Sequence, residues 1–384
     1  MSFAATRSFS RKLKQFRRRL VAVYVIVVLF VVEYVMYGES WYELPNFVHD
    51  KRTESWIRIL LVADPQLIGY RNEPTVGPLS RWDSDRYVRR TFEHAVNKVQ
   101  PNLVIFLGDL FDEGSIADDS EFEMMLDRLH TVFPVRDLGI QRIYISGDND
   151  IGGEGLEPIS IDAKKRFEKF LPSTFDPIAL GLTKYMFFEA NIFDGSTSVI
   201  KPSSNQRRRK EDEVADVRVL CTHVPVTNAM NRRFSDDIFN SIKPSLIVSA
   251  HDHTAGATVT HERATDYLKF YPIYDKHKYN SAGQHAILGF PLNLPSPYST
   301  LEMHVPTCSY RMGVPNMGYG VLYLDVTKPD VHYAYFGILW TPRRFPQLLA
   351  YIGCSILLFL CACVLPIMYE IRYLIVFYCK RAFC

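Results

Sequence analysis

The chain has 384 residues, a formal net charge of +2 and 47% hydrophobic residues. That length suffices for one large domain with a sizeable core, and a near-neutral balance gives no electrostatic reason to expect a nucleic-acid partner. Aromatic residues make up 13% of the chain, and much of the apolar excess sits at its two ends.

Residues 1–19 carry a basic tract, Arg11 to Arg19, expected to lie in the cytosol. Residues 20–37 follow as an apolar run interrupted only by Glu33. At 1.5 Å per residue such a run rises about 27 Å, close to the hydrocarbon thickness of a bilayer. It ends in Tyr-Val-Met-Tyr-Gly-Glu-Ser, a poor cleavage site, which favours an uncleaved anchor over a signal peptide. A second apolar stretch covers 347–368, so residues 38–343 are expected on the lumenal or exterior side and 369–384 back in the cytosol. Of seven cysteines, only Cys221 and Cys308 fall in the body. A disulfide between them is compatible with the sequence, but a buried free thiol is the favoured reading.

Within the body, apolar runs alternate with amphipathic stretches, which predicts an α/β fold. The run 56–62 reads as a strand ending at Asp64-Pro65-Gln66. A helix over 84–98 presents Tyr87, Val88, Phe92, Ala95, Val96 and Val99 at helical spacing. The strand 103–107 ends at Gly108-Asp109, and the helix after it shows Phe122, Met125, Leu126 and Leu129 on one face. The strand 142–145 ends at Gly147-Asp148-Asn149-Asp150, with a helix at 161–170 beyond. Strands 217–220 and 246–248 end at His223 and at His251-Asp252-His253; two late strands, near 320–326 and 332–339, complete the pattern. The charged run 201–213 reads as a solvated loop.

Successive strand ends thus present Asp64, Asp109, Asp148 with Asp150, His223, and His251 with His253. One strand-end aspartate is weak evidence, since most cap a helix or make a turn. A series of oxygen and imidazole donors on successive strands points to divalent cations: Mn, Mg, Fe or Zn. Asp109 is suited to bridge two of them, an arrangement that favours attack at phosphorus. Alternation along a strand would put His251 and His253 on one side.

In order and type these motifs resemble the calcineurin-like metallophosphoesterases. Gly108-Asp109-Leu110-Phe111-Asp112-Glu113-Gly114, the segment from Val305 to Arg311 and the paired apolar stretches are similar to the membrane-anchored branch that remodels GPI anchors. The resemblance implies a four-layer α/β/β/α sandwich flanked by two transmembrane helices. It implies one cation held by Asp64, Asp109 and His253, and another held by Asp109, Asp148, His223 and His251. Asp109, Asn149 and Asp150 would occupy the catalytic positions. Two departures stand out. Gln66 replaces the family's histidine in Asp-x-His and would ligate weakly through its amide oxygen. Asn149 replaces a histidine that serves the leaving group, and a carboxamide is no acid at neutral pH; His261, His285 and His304 are the other histidines that could approach the site. The branch implies a phosphodiesterase removing ethanolamine phosphate from the GPI glycan, with GPI-anchored proteins or the GPI lipid as partners. Its place would be the membrane between endoplasmic reticulum exit sites and the Golgi. The two departures motivate an alternative: a weakened enzyme serving as a binding or cargo-sorting factor.

Overall fold

A computed structural model describes residues 15, 19, 21–30, 34, 56–71, 75–155, 157–172, 185–191, 195–200, 217–226, 238–261, 269–272, 288–292, 299–325, 333–361, 368, 371, 372, 375 and 379. The chain divides into two compact units, Ser40–Thr341 and a second made of Met1–Glu39 with Pro342–Cys384. The charged run 201–213 and His285 lie outside the described residues.

The larger unit is mixed α/β with two sheets. Its strands are β1 (Ile57–Val62), β2 (Leu103–Leu107), β3 (Gln141–Ile145), β4 (Tyr185–Asn191), β5 (Ser196–Val199), β6 (Val217–Thr222), β7 (Leu246–Ser249), β8 (Gly256–His261), β9 (Lys269–Pro272), β10 (Leu288–Pro291), β11 (Ser299–His304), β12 (Gly318–Asp325) and β13 (Tyr333–Trp340). Its helices are α1 (Gly77–Val99), α2 (Asp119–Val132), the single turn α3 (Asp148–Ile151) and α4 (Ile161–Phe170). The first sheet runs β10-β13-β12-β1-β2-β3 and the second β5-β4-β6-β7-β11-β8-β9. In the first, β1, β2 and β3 are mutually parallel; in the second, β6 and β7 are parallel neighbours. A parallel set carries all its C-terminal ends on one edge, where α/β sheets gather ligands.

Period-two alternation decides what each face buries. Ile57, Ile59, Leu61, Leu103, Ile105, Leu107, Ile143 and Ile145 share one core cluster with Val219, Cys221, Val248 and Met303 of the second sheet. Truncating one of these, such as Leu61→Ala, is expected to cost about 2–5 kcal/mol, because rigid sheets on both sides collapse poorly onto the void. The opposite face of the first sheet carries Phe106, which packs edge-on against Phe133 at 5.2 Å; Phe133 in turn meets Phe92 of α1 at 4.9 Å. On the far side of the second sheet, Leu220 and Ile247 pack with Ile238 and Ile242.

Helix α1 begins at Gly77, a full two turns before the expected start. Its first turns were illegible to periodicity because Leu79 and Trp82 point outward, at 64% and 58% exposure. Pro78 suits the first turn, where no intrahelical N–H is required. Helix α2 is closed by a reciprocal capping box: Asp118 accepts from the Glu121 N–H, and Glu121 accepts from the Asp118 N–H. Cys221 and Cys308 are both buried and free, so the disulfide alternative is set aside.

In the smaller unit, residues 21–30 are helical and α5 spans Arg344–Phe359. Among the described residues no helix is long and apolar enough to cross a membrane. The stretches 20–37 and 347–368 run partly outside those residues.

Candidate metal centre

The expected donors converge. They arrive from the C-terminal ends of five parallel strands, β1, β2 and β3 in one sheet and β6 and β7 in the other. The backbone is bent into the left-handed region after β1, β2 and β7: φ is 47° at Asp64, 39° at Gln66, 51° at Asp109, 65° at His251 and 56° at His253. Such conformations disfavour side-chain-bearing residues and concentrate at functional sites. The turns change the reason for one expectation. His251 and His253 lie beyond the end of β7, so strand alternation does not govern them. His251 reaches toward Asp148 and His223, while His253 reaches toward Asp64.

Two glycines make the approach close enough. Gly108 has φ 97°, and a Cβ there would meet the His223 ring. A Cβ on Gly147 would collide with the backbone N and Oδ1 of Asp109. Two loops are also laced together, with Gln66 N donating to Asp109 O and Leu67 N to Leu110 O, both at 2.9 Å.

His223 is oriented by its far nitrogen. Nδ1 lies 2.8 Å from the Leu107 carbonyl. A carbonyl only accepts, so Nδ1 carries the proton and Nε2 is left to face the site. Three donor atoms then form a nearly equilateral triangle. His223 Nε2 is 3.0 Å from Asp148 Oδ1, His251 Nδ1 is 3.2 Å from the same oxygen, and the two nitrogens are 3.3 Å apart. Ligands bound at about 2.1 Å stand roughly 3.0 Å apart on an octahedral edge and roughly 3.4 Å apart on a tetrahedral one. The triangle therefore has the dimensions of a coordination face.

Asp64 supplies the second indication that a cation fits. Its carboxylate is wholly buried, and neither oxygen has a hydrogen-bond partner. A buried anion without partners is costly unless a cation compensates it. The imidazole atoms His253 Nε2 and His223 Nδ1 stand 3.8 and 3.9 Å from the Asp64 carboxylate, beyond hydrogen-bond reach. Asp64, Asp109 and His223 also form a second trio of close donors. His223 has one available lone pair, so it can serve only one of the two groups.

Without a cation the cluster balances its charge through protons. Burial pushes Asp64 up to about 8, with Asp109 and Asp148 adding to the shift and His223 and His251 opposing it. Burial disfavours the charged form of His223, yet Asp109, Asp148 and Asp64 together raise it well above the usual imidazole range. His251 is raised by its hydrogen bond to Asp148. Burial works against the charge on Asp148, but its bonds to His223 and His251 hold it below the ordinary carboxylate range. His253 is lowered by burial.

The residues expected to carry catalysis divide into two kinds. Asp109 lies within the cluster, its Oδ1 3.4 Å from His223 Nε2. Its Oδ2 accepts from Gln66 Nε2 at 3.0 Å and from Asn149 Nδ2 at 2.7 Å, while Oδ1 accepts from the Asn149 N–H at 3.0 Å. The two carboxamides that depart from the resembled pattern both bind the central carboxylate. Asp150 is different: its oxygens accept from the backbone N–H groups of Gly147 at 2.9 Å, Phe111 at 3.0 Å and Leu110 at 3.2 Å. It fastens the loop after β2 to the loop after β3. Burial, and then Asp109, push it up to about 7.

Supports that sequence reasoning missed include Thr307 and Arg311, on the segment after β11. Thr307 Oγ1 donates to the Asp64 carbonyl at 2.7 Å. Arg311 donates to the Gln66 carbonyl at 2.8 Å and to Asp112 at 3.0 Å. Glu113 accepts from the N–H groups of Tyr70 and Arg71. No spacing rule finds these, because they join residues more than 40 positions apart. His304 is buried and bonded to Thr258 Oγ1 at 2.8 Å, so it does not stand in for the histidine replaced by Asn149.

A family model described as calcineurin-like phosphoesterase matches residues 57–255. Metallophosphoesterase 1 homolog of Drosophila melanogaster is 30% identical over 162 residues, covering 40% of this chain and 41% of that protein. Metallophosphoesterase 1 of Mus musculus is 30% identical over 157 residues, covering 39% and 38%. Cell division control protein 1 of Saccharomyces cerevisiae is 27% identical over 207 residues, covering 51% and 41%. The matches span about two fifths of the length of these relatives.

Proposed function

This chain belongs to the calcineurin-like phosphoesterases, and from that membership we propose that it is a metal-dependent phosphodiesterase acting on a membrane-linked glycan. The carrying observation is the gathering of Asp64, Asp109, Asp148, His223, His251 and His253 around one point at the strand ends. Relatives named Metallophosphoesterase 1 support the reading, as do the apolar stretches 20–37 and 347–368 flanking the body. The substrate in this reading is an ethanolamine phosphate branch on the GPI glycan. The setting is the lumenal side of the membrane between endoplasmic reticulum exit sites and the Golgi, where trimming would aid transport of GPI-anchored proteins.

Divalent cations, Mn first, supply Lewis acidity toward the phosphoryl group and lower the pKa of water when bound. Asp148, His223 and His251 would hold one; Asp64 and His253 would hold the other, with Asp109 between. Gln66 and Asn149 fix the Asp109 carboxylate by hydrogen bonds and give up no proton. Lacking a general acid at position 149 costs about 10²–10⁴ in rate. Turnover is therefore expected to be slow and greatest for leaving groups that need no protonation. Purified full chain with Mn²⁺ should release phosphoethanolamine from a GPI glycan and nitrophenol from a nitrophenyl phosphodiester. Asp109→Asn should abolish both. Inactivity with every divalent cation would defeat the proposal.

The pair of carboxamides on Asp109 favours a second reading, in which the folded domain binds or sorts GPI-linked clients without cleaving them. A folded Asp109→Asn or His251→Ala chain would then still restore GPI-protein transport in cells lacking the wild type. Failure to restore it decides for catalysis.

A further inference from the structure

Resting on the metal-dependent reading, we infer that the two cation positions are unequal: the Asp148–His223–His251 face holds one cation tightly, and the Asp64–His253 side holds a second weakly, because Gln66 and Asn149 occupy Asp109 as hydrogen-bond donors.

A carboxylate oxygen has two good acceptor directions. Both directions of Asp109 Oδ2 are taken, by Gln66 Nε2 at 3.0 Å and Asn149 Nδ2 at 2.7 Å. A carboxylate only accepts, so each carboxamide turns its NH₂ end toward Asp109. The Gln66 amide oxygen, the atom that would ligate, therefore faces away. The Arg311 guanidinium holds the Gln66 carbonyl, and Gln66 N donates to Asp109 O, so the backbone at Gln66 is fixed in this arrangement. Oδ1 accepts one bond, from the Asn149 N–H, and keeps a direction on the side where His223 Nε2 stands at 3.4 Å.

His223 gives Nδ1 to the Leu107 carbonyl, so its single lone pair goes to the triangle with Asp148 and His251. That triangle already has the edge lengths of a coordination face. The opposite side keeps Asp64, whose nearest imidazole atoms are 3.8 and 3.9 Å away, and His253. It lacks the imidazole that the Asp-x-His pattern would supply at position 66 and must draw an Asp109 oxygen away from two amide donors. Outer-sphere hydrogen bonds of this kind shift metal affinity by about 10–100-fold.

The test counts metal rather than turnover. The full chain is stripped with chelator, titrated with Mn²⁺ by calorimetry, and assayed for metal content after gel filtration. The expected result is one Mn²⁺ retained per chain, with a second equivalent binding about 10–100-fold more weakly. His251→Ala should lose the retained ion, and Asp64→Asn should keep it. Gln66→His, which adds an imidazole and removes one donor from Asp109, should strengthen the second equivalent. Two equally tight ions in the wild type would overturn the inequality and leave the metal reading standing. So would a retained ion lost in Asp64→Asn but kept in His251→Ala. No bound Mn²⁺ at all would overturn both, and the wild-type count needs no variant to fold.

Discussion

Asp150 separates a fastener from a reacting group. It is fully buried, and its oxygens receive three backbone N–H groups from two loops. Hydrogen bonds to a charged group are worth about 1.5–3 kcal/mol each, and their sum is reduced because they share one residue and because water can enter a truncated site. Asp150→Ala should therefore cost about 3–5 kcal/mol, or roughly 6–20 °C in Tm for a body of this size. Asp150→Asn is the sharper variant. It preserves volume, but its NH₂ end faces an N–H donor, leaving at least one buried donor unpaired at a cost of about 1–3 kcal/mol. Thermal melts of the full chain read the stability, and Mn²⁺-dependent cleavage of a nitrophenyl phosphodiester reads the turnover. The expected pattern is a lowered Tm with turnover that falls alongside the folded fraction. An Asp150→Asn protein that melts like the wild type but has lost all turnover would refute the reasoning and make Asp150 a proton-transferring group.

Other outcomes follow from the same geometry. In the metal-free protein burial lifts Asp64 to about 8, so between about pH 4 and 8 the native state holds a proton that the unfolded chain has released, and stability falls as pH rises. Asp64→Asn should flatten that dependence in chelator, giving a higher Tm than wild type at pH 7.5 and a smaller difference at pH 5.5; parallel melting curves would contradict it. Arg311→Lys keeps the charge but not the fork that spans the Gln66 carbonyl and Asp112, so Mn²⁺ affinity should drop about tenfold, and unchanged binding in calorimetry would remove Arg311 as a support. Burial raises the thiols of Cys221 and Cys308 above the ordinary range, so neither should be alkylated before unfolding; mass-spectrometric detection of rapid labelling at either would refute their placement. Ser160 caps α4 by accepting from the Ala163 N–H, and Ser160→Ala should cost about 1 kcal/mol in denaturant unfolding.

The sequence made the centre legible because its donors follow strong, buried, parallel strands. Leu103–Leu107 and Ile57–Val62 are apolar runs bounded by turn residues, and an aspartate after such a run is easily noticed. The strands β5 and β8 to β11 passed unseen. β5, β8 and β11 are interrupted by polar residues, β9 and β10 have only four residues each, and β11 lies between β7 and β8 while carrying a buried Glu302 that accepts from the Val226 N–H. Apolar periodicity cannot register a strand whose interior holds a satisfied carboxylate. The roles of Gln66, Asn149 and Asp150 were equally hidden. Motif position places them at the site but does not show that hydrogen bonds direct two of them onto Asp109 and the third onto the backbone. Those bonds depend on left-handed turns at Asp64, Gln66 and Asp109, which residue type does not announce.

The most direct test is a crystal of the full chain grown with Mn²⁺ and measured at the manganese absorption edge. The account requires anomalous density within about 2.0–2.3 Å of donor atoms on Asp148, His223 and His251. Well-ordered side chains at these three positions with no anomalous peak among them, in crystals whose Mn²⁺ lies elsewhere, would contradict it.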